Sequence, residues 1–191
     1  MKRKFKLFAT VASLCLCFAL MAFGVYAAAN VTYKATGTVS FEVSNVFVKA
    51  ETAVYKAKDA AGKKVADPAS QAYDDTAYKT TDTRSSLVDN NWADLAPYEV
   101  GELKFNEAGS FKIVVTLTNL SEQKDITVTS HAPTGTQLVN ATITEDSANA
   151  SVSNIEKGNK TVTLTYYVAL TDVAKVSSGS WTIIIELNQA A

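Results

Sequence analysis

Residues 111–128 constrain the fold more than any other stretch. Phe111, Ile113, Val115 and Leu117 alternate with Lys112, Val114, Thr116 and Thr118. A period of two places one apolar row on one face of a β-strand. Asn119 through Asp125 is polar and turn-prone, after which Ile126 and Val128 resume the alternation with Thr127 and Thr129 between them and beyond. The pattern reads as a hairpin with one wet face. Such a sheet is antiparallel and needs a second layer to bury its dry side.

The same period recurs along the chain. Val31, Tyr33, Ala35, Gly37, Val39, Phe41 and Val43 alternate with polar residues. Ser44-Asn45 breaks the phase, and Val46, Val48, Ala50, Thr52 and Val54 continue on the other parity, which predicts a turn or bulge at the break. Further strands are expected over 100–105, 138–144 and 162–170, around Val152 and Ile155, and from Trp181 to Leu187. A loop is expected over 131–135. Between about Lys56 and Pro97 the periodicity fades, and Gly62, Pro68 and Asp74-Asp75 punctuate the segment. It is too long for an ordinary connection and reads as an insertion. Ser85-Ser86 predicts a short helix running to about Leu95. Tyr73, Tyr78, Trp92 and Tyr98 are its aromatic anchors. The expected class is all-β: an antiparallel β-sandwich, jelly-roll or immunoglobulin-like, with a partly helical insertion.

The first residues address the chain to a compartment. Lys2, Arg3, Lys4 and Lys6 precede an uncharged apolar run from Leu7 to Val25, followed by small residues. This is the pattern of a secretory signal peptide over residues 1–27, cut after Ala27 or Ala29. An uncleaved anchor is the competing reading, since the run approaches membrane-spanning length. Residues 28–191 then form a single β-sandwich domain, secreted and extracellular or associated with the cell surface. The full chain carries 18 basic and 19 acidic residues; without the four basic residues of the signal the balance is 14 minus 19, or −5. That charge offers no footprint for nucleic acid, and no membrane association is expected after cleavage. Cys15 and Cys17 both lie in the signal, so the mature chain has no disulfide, thiolate metal site or cysteine nucleophile.

Four stretches carry a family likeness: Tyr26-Ala27-Ala28 at the end of the signal, Thr36-Gly37-Thr38-Val39-Ser40-Phe41, Val115-Thr116-Leu117-Thr118-Asn119-Leu120-Ser121, and the C-terminal Glu186-Leu187-Asn188-Gln189. Together they resemble bacterial secreted proteins of the camelysin/TasA type. The resemblance implies a jelly-roll-like sandwich on a Gram-positive cell surface and, as in several members, assembly into biofilm matrix fibres. The implied partners are further copies of the chain or other extracellular surface components.

Catalytic patterns are weak throughout. His131 is the only histidine, which excludes a paired-histidine metalloprotease motif and a three-histidine zinc site. Asp59, Asp67, Asp74, Asp75, Asp82, Asp89 and Asp94 crowd the insertion without the spacing of a calcium loop, and read as a solvated acidic surface. Glu145 and Asp146 are neighbours whose side chains point apart on a strand, unlike the carboxyl pair of a glycosidase. The expectation is therefore a non-enzymatic structural protein with no cofactor and no metal. Its self-association strand is Val31, Tyr33, Gly37, Val39 and Phe41, because a terminal strand tethered on one side can add to another copy, and Gly37 permits close approach at mid-strand. The alternative is a carbohydrate-binding or adhesin module in which Trp92, Tyr73 and Tyr78 contact a glycan. Trp181, in phase with Ile183 and Ile185, belongs to the core.

Overall fold

The structure is a computed structural model that describes residues 34–44, 46–58, 61–84, 86–88, 91–93, 95, 97–172 and 178–190. All of them fall in the unit Tyr33–Ala191. The expected signal peptide and its cleavage site lie outside the described residues.

Alternation becomes strand almost everywhere it was read. In chain order the strands are β1 (Lys34–Ser44), β2 (Val48–Lys56), β3 (Lys79–Arg84), β4 (Ser86–Val88), β5 (Asn91–Ala93), β6 (Tyr98–Lys104), β7 (Ser110–Asn119), β8 (Ile126–Ser130), β9 (Pro133–Val139), β10 (Ala141–Glu145), β11 (Asn154–Ile155), β12 (Thr161–Leu170) and β13 (Ser178–Gln189). One sheet has the order β11-β8-β13-β1-β6, with β9 also paired to β13; the other has the order β10-β12-β7-β2-β3. Their inward rows meet in one core that joins Val39, Leu103, Ile183 and Ile185 of the first sheet to Val54, Ile113, Leu117 and Leu164 of the second. The β-sandwich expected from the alternation is the observed fold.

Three local expectations are corrected. Residues 111–128 are not a hairpin: β7 lies in the second sheet and β8 in the first. The Asn119–Asp125 stretch arches from one layer to the other, and both strands point their apolar rows into the same core from opposite sides. Asn119 fixes the arch. Its buried amide donates to the Lys124 and Ile155 carbonyls at 2.8 and 3.1 Å and accepts from the Ser121 N–H at 2.9 Å. The strand expected over 138–144 is likewise two strands in different sheets. Asn140, at φ 58°, turns the corner in the left-handed region that Asn tolerates, and β9 begins at Pro133, inside the expected loop. Finally, the helix expected up to Leu95 is a ribbon, with Leu87 of β4 opposite Trp92 of β5. Ser86-Leu87-Val88 and Asn91-Trp92-Ala93 each suit a short strand, and the pairing outweighs the serine cap signal. Among the described residues the only helical turn is a 3₁₀ turn at Ser147–Ser151.

The insertion folds back on the sandwich. Ala57 and Val65 bury Ala169 on the outward face of β12, with Tyr73 packed against them. The Val65 N–H donates to the Leu170 carbonyl at 2.9 Å. This cover is why Tyr167 and Ala169, outward residues by parity, are buried.

Candidate functional site

The strand expected to mediate association is β1. It is not an edge. It lies inside its sheet, antiparallel to β6 and parallel to β13, the one parallel pairing among the described strands. The two described strands farthest apart in sequence are thus neighbours. Ala35, Gly37, Val39 and Phe41 face the core and are buried. Val31 and Tyr33 lie outside the described residues.

Gly37 has a defined reason to be glycine. It pairs with Trp181 on one side and Gly101 on the other. The Trp181 indole, 1 % exposed, lies across its Cα: a β-carbon at Gly37 would fall 1.9 Å from Trp181 Cε2 and Cζ2. Carbon–carbon contacts sit near 3.5–4.0 Å, so no side chain fits. The close approach anticipated at Gly37 is therefore made by this chain's own tryptophan. Trp181 Nε1 is buried there with no hydrogen-bond partner among the described residues.

The outer edge of β6 is occupied. Lys79, at the start of β3, donates from Nζ to the Val100 carbonyl at 2.5 Å and the Glu102 carbonyl at 3.3 Å. Gly101 between them has φ 68° and bulges the strand, with the pairing register shifting beside it. Lysine, bulge and glycine together blunt an edge against strand addition.

Tyr73 and Tyr78 stand apart. Tyr73 is half-buried. Its hydroxyl donates to the Pro68 carbonyl at 2.8 Å and lies 3.1 Å from Ser110 Oγ. Its ring sits 5.9 Å from that of Tyr167. Burial pushes its phenol pKa up, against a smaller lowering by the Ser110 hydrogen bond. Tyr78 stands elsewhere, its ring 6.3 Å from Phe111 and covered by Lys56 Nζ at 3.9 Å from the centroid, in the range of a cation–π contact. Trp92 lies in β5, and its side chain is outside the described residues. A concavity of about 410 Å³ lies at one end of the sandwich between Val46, Phe47, Leu120 and Ile126, and neither Tyr73 nor Tyr78 lines it.

The polar groups near His131 bond to one another and to the backbone. His131 Nδ1 contacts Glu145 Oε1, and Tyr166 donates to the His131 carbonyl at 2.6 Å. Asp146 caps the 3₁₀ turn by accepting from the Ala148 N–H at 2.9 Å, and also accepts from the Tyr167 hydroxyl at 2.7 Å. These two bonds hold its carboxyl below the usual range, the backbone N–H contributing most. Burial raises both tyrosine phenols, so each stays a neutral hydrogen-bond donor.

Asn119, Lys79 and Asp146 were missed as organising residues in the sequence. The signals for Asn119 and Asp146 were present: each precedes a serine two or fewer positions on in a polar stretch, the local pattern of an Asx turn or cap. Lys79 had no such signal, because its role depends on the two sheet edges meeting.

No protein-family model matches the chain, and no curated protein matches it. Among solved structures it is similar to one described as the crystal structure of the major pilin from Streptococcus pyogenes, at 16% identity over 82% of this chain and 48% of that chain, with a TM-score of 0.28. The chain thus spans about half the length of that pilin chain, and a likeness of this size leaves its function to be argued from its own geometry.

Proposed function

We propose that this protein is a non-enzymatic structural component of the cell exterior, the role the resemblance to camelysin/TasA-type proteins implies, and that it self-associates by exchanging its N-terminal strand between copies. One observation carries the reading: β1 is the first of the described strands yet fills an interior slot between β6 and β13. Its withdrawal would leave two open strand edges and an apolar trench.

The same strand from a second copy would restore every lost contact. Exchange therefore changes no pairing or burial, and concentration and hinge entropy set the balance between monomer and assembly. A head-to-tail series of exchanges that does not close gives a fibre. The guarded edge of β6 disfavours simple strand addition there. Secretion fits the basic-apolar leader and the absence of cysteine after it.

The test is to refold the chain lacking residues 1–27 across a range of concentrations, with light scattering and negative-stain imaging. Oligomers or fibres that grow with concentration at unchanged β-sheet content are expected. A strictly monomeric protein at every concentration would refute the reading.

A further inference from the structure

We infer that Gly37 and Trp181 form a register lock for the β1 slot: the slot accepts only a strand that presents glycine beneath the indole, and so admits residues 34–44 of another copy of this chain in one alignment and rejects the glycine-free strands. The inference rests on the exchange reading above and adds what the slot will admit.

Alternation alone cannot set the register of an incoming strand. A one-residue slip turns the apolar row outward and is rejected, but a two-residue slip restores the inward row. Within β1 that row is Ala35, Gly37, Val39 and Phe41. Slipping by two would bring Ala35 or Val39 under Trp181, where a β-carbon has 1.9 Å to the ring. The indole is buried, so it has no solvent side to swing toward. Glycine therefore converts a pattern that repeats every two residues into a single permitted alignment. Gly101 faces Gly37 across the antiparallel pair, and a β-carbon there would meet Lys79 Nζ at 3.4 Å rather than the indole.

The same lock discriminates between strands. The inward rows of β2 (Val48, Ala50, Thr52, Val54), β7 (Phe111, Ile113, Val115, Leu117) and β12 (Leu164, Tyr166, Val168, Leu170) are apolar and of adequate length, and none contains glycine. They cannot occupy the slot, in their own copy or a neighbour's. The large residue is on the acceptor and the gap is on the donor, so rejection of wrong strands is steric, a form of specificity by exclusion.

The experiment refolds the chain in the presence of a fluorescent peptide spanning residues 34–44, at millimolar concentration to compete with the tethered strand, and reads peptide co-elution on size exclusion. The native peptide is expected to be incorporated. The Gly37→Val peptide is expected to be incorporated at least about tenfold less, as overpacking a tight core implies. In a Trp181→Ala chain the difference is expected to shrink to about threefold or less, because the cavity now takes the side chain. Trp181→Leu serves that arm if the alanine variant does not refold. Equal incorporation of both peptides into the unaltered chain would overturn the lock and leave exchange standing. Incorporation of neither, by a chain that refolds, would overturn exchange and the lock with it.

Discussion

A double-mutant cycle at Gly37 and Trp181 probes the most tightly specified contact in the fold. In Gly37→Ala the new β-carbon lies 1.9 Å from Cε2 and Cζ2 and 2.5 Å from Cδ2 of Trp181. Restoring an ordinary separation of about 3.5 Å requires the indole or β1 to move by about 1.5 Å. Overpacking typically costs about 1–3 kcal/mol, and a displacement this large against a rigid ring belongs at the upper end, about 3 kcal/mol. Trp181→Ala alone should cost about 3–5 kcal/mol as a cavity. The double variant should cost no more than Trp181→Ala, because the alanine methyl then enters empty space. The expected coupling is therefore about 2–3 kcal/mol. Urea unfolding followed by far-ultraviolet circular dichroism suits the cycle, since the tryptophan probe is itself altered. Against a total stability of about 5–15 kcal/mol, Gly37→Ala should lower Tm by about 6–12 °C. Additivity of the two changes within about 0.5 kcal/mol would refute the close approach.

Other expectations follow from the core, the arch and the cap. Leu117→Ala, fully buried between the layers, should cost about 2–5 kcal/mol in the same urea titration. Asn119→Ala removes three hydrogen bonds from the β7–β8 arch and should cost about 2–4 kcal/mol, with faster amide exchange over 120–126 than elsewhere in the sheet. The Asp146 carboxyl is held below its usual value in the folded state. Its stabilisation is therefore present above the unfolded carboxylate pKa of about 4 and is lost as pH falls through the lower folded value. Asp146→Asn should flatten that part of the acid-unfolding profile, and an unchanged profile would count against the cap.

The rows that build the core were legible because inward and outward residues differ in chemistry at a period of two. Phe111 to Leu117 and Trp181 to Leu187 are buried as read. Layer assignment was not legible. A strand presents the same alternation whether its successor pairs beside it or crosses to the opposite sheet, so β7 and β8 resembled a hairpin. The discriminating element was Asn119, whose buried amide replaces the tight turn that a hairpin needs. Parallel pairing of β1 with β13 was hidden for a similar reason: pairing partners leave no local trace when 140 or so residues intervene. In the slot, Gly37 announced a close approach, but only the fold could show that Trp181 makes it. Tyr73 signalled packing of the insertion correctly as an anchor, while Lys79 gained its role from two edges brought together by tertiary structure.

Strand exchange itself is tested most directly by a disulfide between β1 and β13. Thr38 and Thr182 are direct partners across the parallel pair, on the outward face. Neighbouring strands lie about 4.8 Å apart, within the reach of a disulfide. Apart from Cys15 and Cys17 the chain has no cysteine, so Thr38→Cys with Thr182→Cys in the chain lacking residues 1–27 leaves the two introduced thiols as the only ones, and only the 38–182 pair is adjacent in the sheet. Assembled material is oxidised, denatured and run without reductant. Exchange should give a ladder of covalently linked chains that collapses to one band on reduction. Assembled material that yields only single chains, each closed on itself, would show that every β1 stays in its own sandwich and would contradict exchange.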